Sequence, residues 1–242
     1  MGWRKGNVLA LRFRPGADTA LALLTAALFA GIYYAGTHIR DPVTSFVVFT
    51  VLGIGVLCVI LPAFYVLRVR REGLGSLGIT MRRWWLALPL SAFLALGSLP
   101  ALWELAEREE VALAPHLLVN GLSLWEPFFV HGWLQLRFER AFGILPGITL
   151  AALCFGAYHL GTYPIPAVLA LGGFGLVYAA LFRAVGANLL VLWPLIWAVG
   201  SGIGTLQGGF AFGWASVAVA AILLAAQAAA IALFARRSGR KA

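Results

Sequence analysis

From Trp125 to Trp133 the chain reads WEPFFVHGW. One carboxylate, Glu126, and one imidazole, His131, stand inside an apolar run long enough to cross a bilayer. A charge at the centre of a membrane helix costs about 2.5–3.5 kcal/mol on insertion scales, so an ionisable residue there points to function and needs a partner. A second imidazole, His159, closes the stretch CFGAYHL at the end of the next apolar run. Those two runs must be antiparallel neighbours. A Glu and a His on adjacent helices can hold one water between them, the Glu taking its proton and the His orienting it or stabilising charge. Glu126 and His131 are five residues apart, which on a regular α-helix separates their directions by about 140°. They share a face only if the helix is distorted, and Pro127 is the residue able to distort it. Depth sets a second condition. With inner boundaries at Arg137 and Phe142, Glu126 lies about 16 Å and His159 about 25 Å above them, at 1.5 Å per residue. Tilt or a break must close the difference.

The elements that position these groups are expected to be membrane helices. The chain of 242 residues is 62% hydrophobic and 11% charged, with mean hydropathy +0.91. A soluble protein of this size cannot hide so much apolar surface. About eight stretches reach the roughly 17–25 residues a helical span needs. They are Thr19–His38, Val43–Leu67, Trp84–Trp103, His116–Leu134, Phe142–Leu160, Pro164–Phe182, Asn188–Leu206 and Phe212–Phe234. The reading is an all-α polytopic membrane protein, a single integral domain over residues 1–242. The first apolar segment is too long for a signal-peptide core and is read as a retained span. Cys58 and Cys154 fall inside apolar runs and read as packing residues. His38 and His116 are expected at span ends, within reach of the headgroups. The Gly143/Gly147 and Gly200/Gly204 pairs have the small-xxx-small spacing that lets helices approach closely. GTYPIP, Gly161 to Pro166, breaks the helix just after His159.

Charge fixes an orientation. With the N-terminus inside, sixteen of the eighteen Lys and Arg fall in inner segments: Arg4, Lys5, Arg12 and Arg14; Arg68, Arg70, Arg71, Arg82 and Arg83; Arg137 and Arg140; Arg183; Arg236, Arg237, Arg240 and Lys241. Only Arg40 and Arg108 fall outside. Cytoplasmic loops collect Lys and Arg in this way. Both termini are therefore expected in the cytoplasm, with a bacterial plasma membrane as the setting. The net charge of +9 is accounted for without nucleic acid. Glu104, Glu107, Glu109 and Glu110 gather in an outer loop, which leaves Glu126 as the carboxylate expected deep in a span.

The segment from Trp125 to His159 resembles the CPBP family of membrane-embedded CAAX prenyl proteases and bacteriocin-processing or self-immunity proteins. The resemblance covers about residues 74–206. Phe155 and His159 in FGAYH match the family's Phe-x-x-x-His motif. The Glu-Glu-x-x-x-Arg motif matches in part: aligned on Gly132, Glu126 takes the first Glu, Pro127 the second and His131 the Arg. In the third motif the family carries a His with a polar partner, thought to stabilise an oxyanion. No histidine follows His159 here, and the corresponding stretch is NLLVLWPLIWAVGSG. The resemblance implies an eight-helix fold and a glutamate-activated water that attacks a peptide bond in the membrane. It implies Glu126 as base, His159 as water holder and His131 in place of the Arg. Trp193, Trp197, Asn188 and Ser201 are left as candidate oxyanion donors. The implied partner is a membrane-embedded or lipidated peptide. No cofactor is required. Zinc is an option, with Glu126, His131 and His159 as the ligands, although no HExxH helix is present. Two other function classes fit the same residues. One is a catalytically inactive relative that binds or shields membrane partners. The other is a small transporter, for which the spans offer few polar residues and no internal repeat.

Overall fold

The computed structural model describes residues 10–193, 195–196, 200–206 and 211–238. It is all-helical, with about eight membrane helices and, among the described residues, no strand beyond one isolated bridge from Leu160 to Tyr163. We number the helices α1 (Ala17–His38), α2 (Pro42–Val69), α3 (Trp84–Arg108), α4 (Leu113–Leu122), α5 (residues 125–142), α6 (Ile144–Ala157), α7 (Ile165–Ala184), α8 (Gly200–Leu206) and α9 (Trp214–Ser238). Helices α1, α2, α3, α7 and α9 are each long and apolar enough to cross a bilayer unaided. Their outer faces carry large apolar side chains such as Phe93, Leu169 and Ile222 into the lipid.

Local chemistry sets the turns. Asp41 caps α2, its Oδ2 accepting from the Thr44 N–H at 2.7 Å, and Pro42 takes the first helical position, where its missing N–H is not needed. Gly143 ends α5 and begins α6 at φ 102°, a conformation closed to residues with a Cβ. Pro164 precedes α7 and fixes the chain's entry into it.

Helix α5 is the axis of the molecule. Between Pro127 and Glu139 every side chain is buried, which is why FFVHGWLQLRFE shows no polar face. Phe129 and Trp133 pack with Phe29 of α1 and Tyr158 in one aromatic core, and Trp133 donates its indole N–H to Thr25 Oγ1 at 3.0 Å.

The structure corrects the expected span His116–Leu134. The chain breaks at Ser123–Leu124, giving α4 and a separate α5 that continues through Arg137 to Phe142. Arg137 and Arg140 are therefore helix residues rather than loop residues. Arg137 is fully buried, with Nη1 at 3.5 Å from both Asp18 Oδ2 and Glu72 Oε2, and Nη2 donating to the Ser76 carbonyl at 2.7 Å. Arg140 grips Glu72 in a two-point pair at 2.7 and 2.8 Å. These contacts explain how α5 carries charge at its end. Glu126 is likewise not the only acidic residue buried in a helix, because Glu139 is 5% exposed. It accepts from Gln135 Nε2 at 2.9 Å and lies 3.5 Å from Arg183.

The first described residues and the end of α9 lie at this same face of the bundle. Arg12 and Arg14 donate their backbone N–H groups to Phe142 and Ala141, and Arg68 donates to the Leu233 carbonyl.

Candidate functional site

The corrected helix boundaries settle the depth of the two ionisable groups. The turn between α5 and α6 is Gly143, not Arg137. Glu126 stands sixteen residues before Phe142, and His159 sixteen residues after Gly143. Both therefore reach the same level at the far end of the α5–α6 hairpin, with no tilt required.

There they line one cavity of about 440 Å³. Its walls come from the α1–α2 corner (Gly36, Thr37, Ile39, Ser45), Tyr33, the α4–α5 break (Asn120, Ser123, Trp125), the loop after α6 (His159, Tyr163), Tyr178 of α7 and Thr205 of α8. Two irregular stretches, Ser123–Leu124 and residues 158–164, border it. Irregular backbone at membrane depth is tolerated where it is buried in protein or lines a water-filled space. Both stretches face this cavity, whose walls carry a carboxylate, an imidazole, an amide and hydroxyl groups.

Glu126 sits in the first turn of α5 and accepts a hydrogen bond on Oε1 from the Tyr158 hydroxyl. His159 is held by four rings: Tyr158 at 4.2 Å between centroids, Tyr33 at 5.2 Å, Phe155 at 5.4 Å and Tyr163 at 5.5 Å. Its Nδ1 lies 2.8 Å from the Phe155 carbonyl, which only accepts, so Nδ1 carries the proton and Nε2 presents a lone pair. Phe155 thus has two roles, as one wall of the ring cage and, through its backbone, as the group that sets the tautomer. The Tyr33 hydroxyl hydrogen-bonds that of Tyr163 across the cavity wall.

His131 is not part of this wall. The turns from Phe128 to Gln135 are widened to i→i+5 bonding just after Pro127, yet this distortion does not bring His131 to the cavity. Its Nδ1 pairs with Gln135 Oε1 at 2.8 Å and its ring packs on Phe182 and on Tyr178, one side chain behind the cavity. The group expected to replace the Arg of the first motif instead heads a buried chain, His131–Gln135–Glu139–Arg183, along α5 to the arginine-rich face. Among the described residues no three His, Cys, Asp or Glu side chains come together as a ligand set, so Glu126, His131 and His159 do not form the zinc site considered for them.

The expected oxyanion donors are also placed elsewhere. Asn188 caps the turn Leu189–Val191 and donates Nδ2 to the Arg82 carbonyl at 2.6 Å, at the opposite end of the bundle from the cavity. Trp193 donates its indole N–H to the Gly121 carbonyl at 3.0 Å. Ser201 is buried behind the cavity and accepts from Asn120 Nδ2 at 3.3 Å. Trp197 lies outside the described residues. Asn120 itself reaches the cavity, which it can do because Gly200 has no side chain: a Cβ there would meet its Oδ1 at 2.6 Å. His116, expected at a headgroup, is instead fully buried, with Nδ1 at 2.9 Å from Thr205 Oγ1. It is part of a polar cluster with Asn120, Ser201 and Thr205 that buttresses the cavity from α4 and α8.

Sequence reasoning missed Tyr33, Tyr158, Tyr163 and Asn120. Only Tyr158 had a signal, its place directly before His159.

Residues 108–201 match the family model described as Rce1-like, type II CAAX prenyl endopeptidase. The match runs from the end of α3 to Ser201, inside the stretch 74–206, and takes in Glu126 and His159. Over that segment the chain is similar to this protease family. No curated protein and no solved structure matches the chain. The matched segment includes both Glu126 and His159, which share the cavity. The departures from the family pattern lie in what surrounds the pair.

Proposed function

We propose that this protein is an intramembrane endopeptidase that cleaves a peptide bond with a water activated by Glu126. The observation that carries the reading is that Glu126 of α5 and His159, just after α6, line one cavity inside the segment that matches a protease family. Glu126 Oε1 is bound by Tyr158, so its second oxygen takes the proton of the attacking water. His159, with Nε2 as acceptor, holds the other hydrogen of that water. The carbonyl oxygen of the scissile bond becomes an oxyanion as the water adds, and it needs a donor within hydrogen-bond reach. Trp193 and Asn188 are committed to backbone carbonyls, and the Asn120 amide to the His116 carbonyl and Ser201, so the hydroxyl pair of Tyr33 and Tyr163, which spends one of its two O–H groups on the bond between them, takes that role with the other. Glu126 then returns its proton to the leaving amine. The substrate is a membrane-embedded or lipidated peptide, unwound at the cleavage point so that its carbonyl is open to attack.

Both termini are proposed to be cytoplasmic, on the segregation of Lys and Arg. A reporter that needs the non-cytoplasmic side, fused after Ala242, is expected to give no signal.

A second reading has one observation in its favour: no histidine follows His159, so the family's third motif is incomplete. On that reading the cavity binds a membrane peptide without cutting it. One experiment separates the two. The protein is reconstituted with a library of membrane-anchored peptides and compared with Glu126→Gln and His159→Ala. Cleavage lost in both variants supports the peptidase; cleavage that survives Glu126→Gln removes the mechanism; peptide binding without cleavage favours the second reading.

A further inference from the structure

The cavity and the arginines lie at opposite ends of the bundle. At one end stand Arg12, Arg14, Arg68, Arg70, Arg71, Arg82, Arg83, Arg137, Arg140 and Arg183; Arg70, Arg137 and Arg140 are joined through Asp18 and Glu72, Arg183 pairs with Glu139, and Arg68 and Arg83 donate to backbone carbonyls of α9 and α7. At the other end stand the α1–α2 corner, the α4–α5 break and the loop after α6, and these form the cavity. Among the described residues the basic side chains belonging to that end are Arg40, in the α1–α2 corner, and Arg108, at the end of α3. Thr37 marks the mouth: it lines the cavity, is exposed, and ties α1 to the loop after α6 through Thr162 Oγ1 at 3.0 Å.

We infer that the cavity opens to the non-cytoplasmic face of the membrane, and that its substrate is an uncharged, apolar polypeptide stretch presented from that side. The inference rests on the proposed peptidase reading for the word substrate, but the sidedness follows from geometry and charge alone. Short loops rich in Lys and Arg remain in the cytoplasm. Ion pairs through Asp18, Glu72 and Glu139 tie α1, the segment after α2, α5 and α7 together at the arginine face, so these elements present one side of the molecule. The cavity mouth is on the other side. The chemistry of the walls narrows the occupant. Apart from Glu126 and His159, the lining is apolar, aromatic or neutral polar, such as Phe49, Trp125, Leu171, Thr37 and Asn120. It offers no further counter-charge to a charged side chain, and an unpaired charge in such a site is costly. The substrate is therefore a chain that has already been translocated, or one anchored so that its cleavable stretch emerges on the outer side. A peptide that ends in the cytoplasm does not reach Glu126.

The test places single cysteines in the full-length protein after Cys58→Ala and Cys154→Ala. Thr37→Cys and Arg40→Cys report the mouth; Gly75→Cys and Arg82→Cys report the arginine face. Spheroplasts are treated with a membrane-impermeant maleimide before and after permeabilisation. Labelling of the first pair in intact spheroplasts, with the second pair labelled only after permeabilisation, is the expected result. The reverse pattern overturns the inference. An epitope inserted between Ile39 and Arg40 gives a second readout for any silent cysteine: antibody binding to intact spheroplasts supports the inference, and binding only after permeabilisation overturns it. The outcomes are separable from those of the peptidase reading. Cytoplasmic labelling of the mouth with cleavage lost in Glu126→Gln refutes the sidedness and leaves the chemistry standing. Outer labelling with cleavage unaffected in Glu126→Gln does the opposite.

Discussion

Glu126 is held in a membrane core by a combination of contacts that no single neighbour supplies. It occupies the first turn of α5, where the helix dipole favours negative charge. It faces a polar cavity, and one oxygen is bound by Tyr158. On the proposed mechanism the two oxygens have different duties, and this separates two variants. Glu126→Gln removes the base, and turnover is expected to fall at least about a hundredfold, the range for loss of general-base catalysis. Tyr158→Phe removes only the donor that aims the carboxylate. It is expected to lower kcat about five- to tenfold with KM little changed, in line with one hydrogen bond worth about 1–1.5 kcal/mol. Steady-state kinetics on a reconstituted peptide substrate checks both. An equal loss in the two variants would place Tyr158 in the chemistry rather than beside it. Glu126 and His159 were legible in the sequence because an ionisable group in an apolar run is conspicuous. Tyr33, Tyr158 and Tyr163 were not, because a tyrosine in such a run is also an ordinary core residue, and only the fold shows where its hydroxyl points. Asn188 and Trp193 failed for the converse reason: a residue able to donate a hydrogen bond says nothing about which acceptor it meets.

At the scale of elements, hydropathy located the apolar runs but misplaced the joints around α5. It joined α4 to the first half of α5, because LLVNGLSLWEPFF is mostly apolar and the break at Ser123–Leu124 costs little composition. It ended the span at Leu134 and set the inner boundary at Arg137, because an arginine reads as loop until its partners, Asp18 and Glu72, are seen across the bundle. The apparent depth mismatch of Glu126 and His159 came from that single misplaced boundary. The α5–α6 hairpin that sets their level depends on a close approach at Gly147. A Cβ there would stand 2.6 Å from the Glu139 nitrogen and 2.8 Å from its Cα, and backbone atoms cannot swing aside as a flexible side chain can. Gly147→Leu is expected to destabilise the protein by about 3 kcal/mol, the upper range for overpacking. It should also reduce activity, because the hairpin carries both Glu126 and His159. Gly173→Leu, where a Cβ meets nothing within 4 Å, is the control and should leave the thermal midpoint in detergent nearly unchanged.

Across the whole molecule, the two ends of the bundle carry different electrostatics, and this gives the protein a predictable response to acid. At the arginine end, Glu72 is the shared partner of Arg137 and Arg140, with Asp18 and Arg70 close by. Partial burial pushes the Glu72 carboxyl up. The two-point hydrogen bond from Arg140 and the charges of Arg137 and Arg140 outweigh this and hold it at about 2, below its ordinary 4.5. A carboxylate whose folded value is depressed contributes stability at pH above its unfolded value, and that contribution disappears as pH falls through the folded value. The thermal midpoint in detergent is therefore expected to decline as pH drops from about 4.5 towards 2. Asp41 adds to the decline in the same direction, since its carboxyl is lowered by the hydrogen bonds of Thr44. Glu72→Gln isolates the larger pair. It should have a lower midpoint than the parent at neutral pH, with a shallower decline below pH 4.5, because the group that titrates in that window has gone. A Glu72→Gln curve that runs parallel to the parent down to pH 2 would show that the arginine end is not held by this carboxylate. The acid response would then have to come from carboxylates at other places in the bundle.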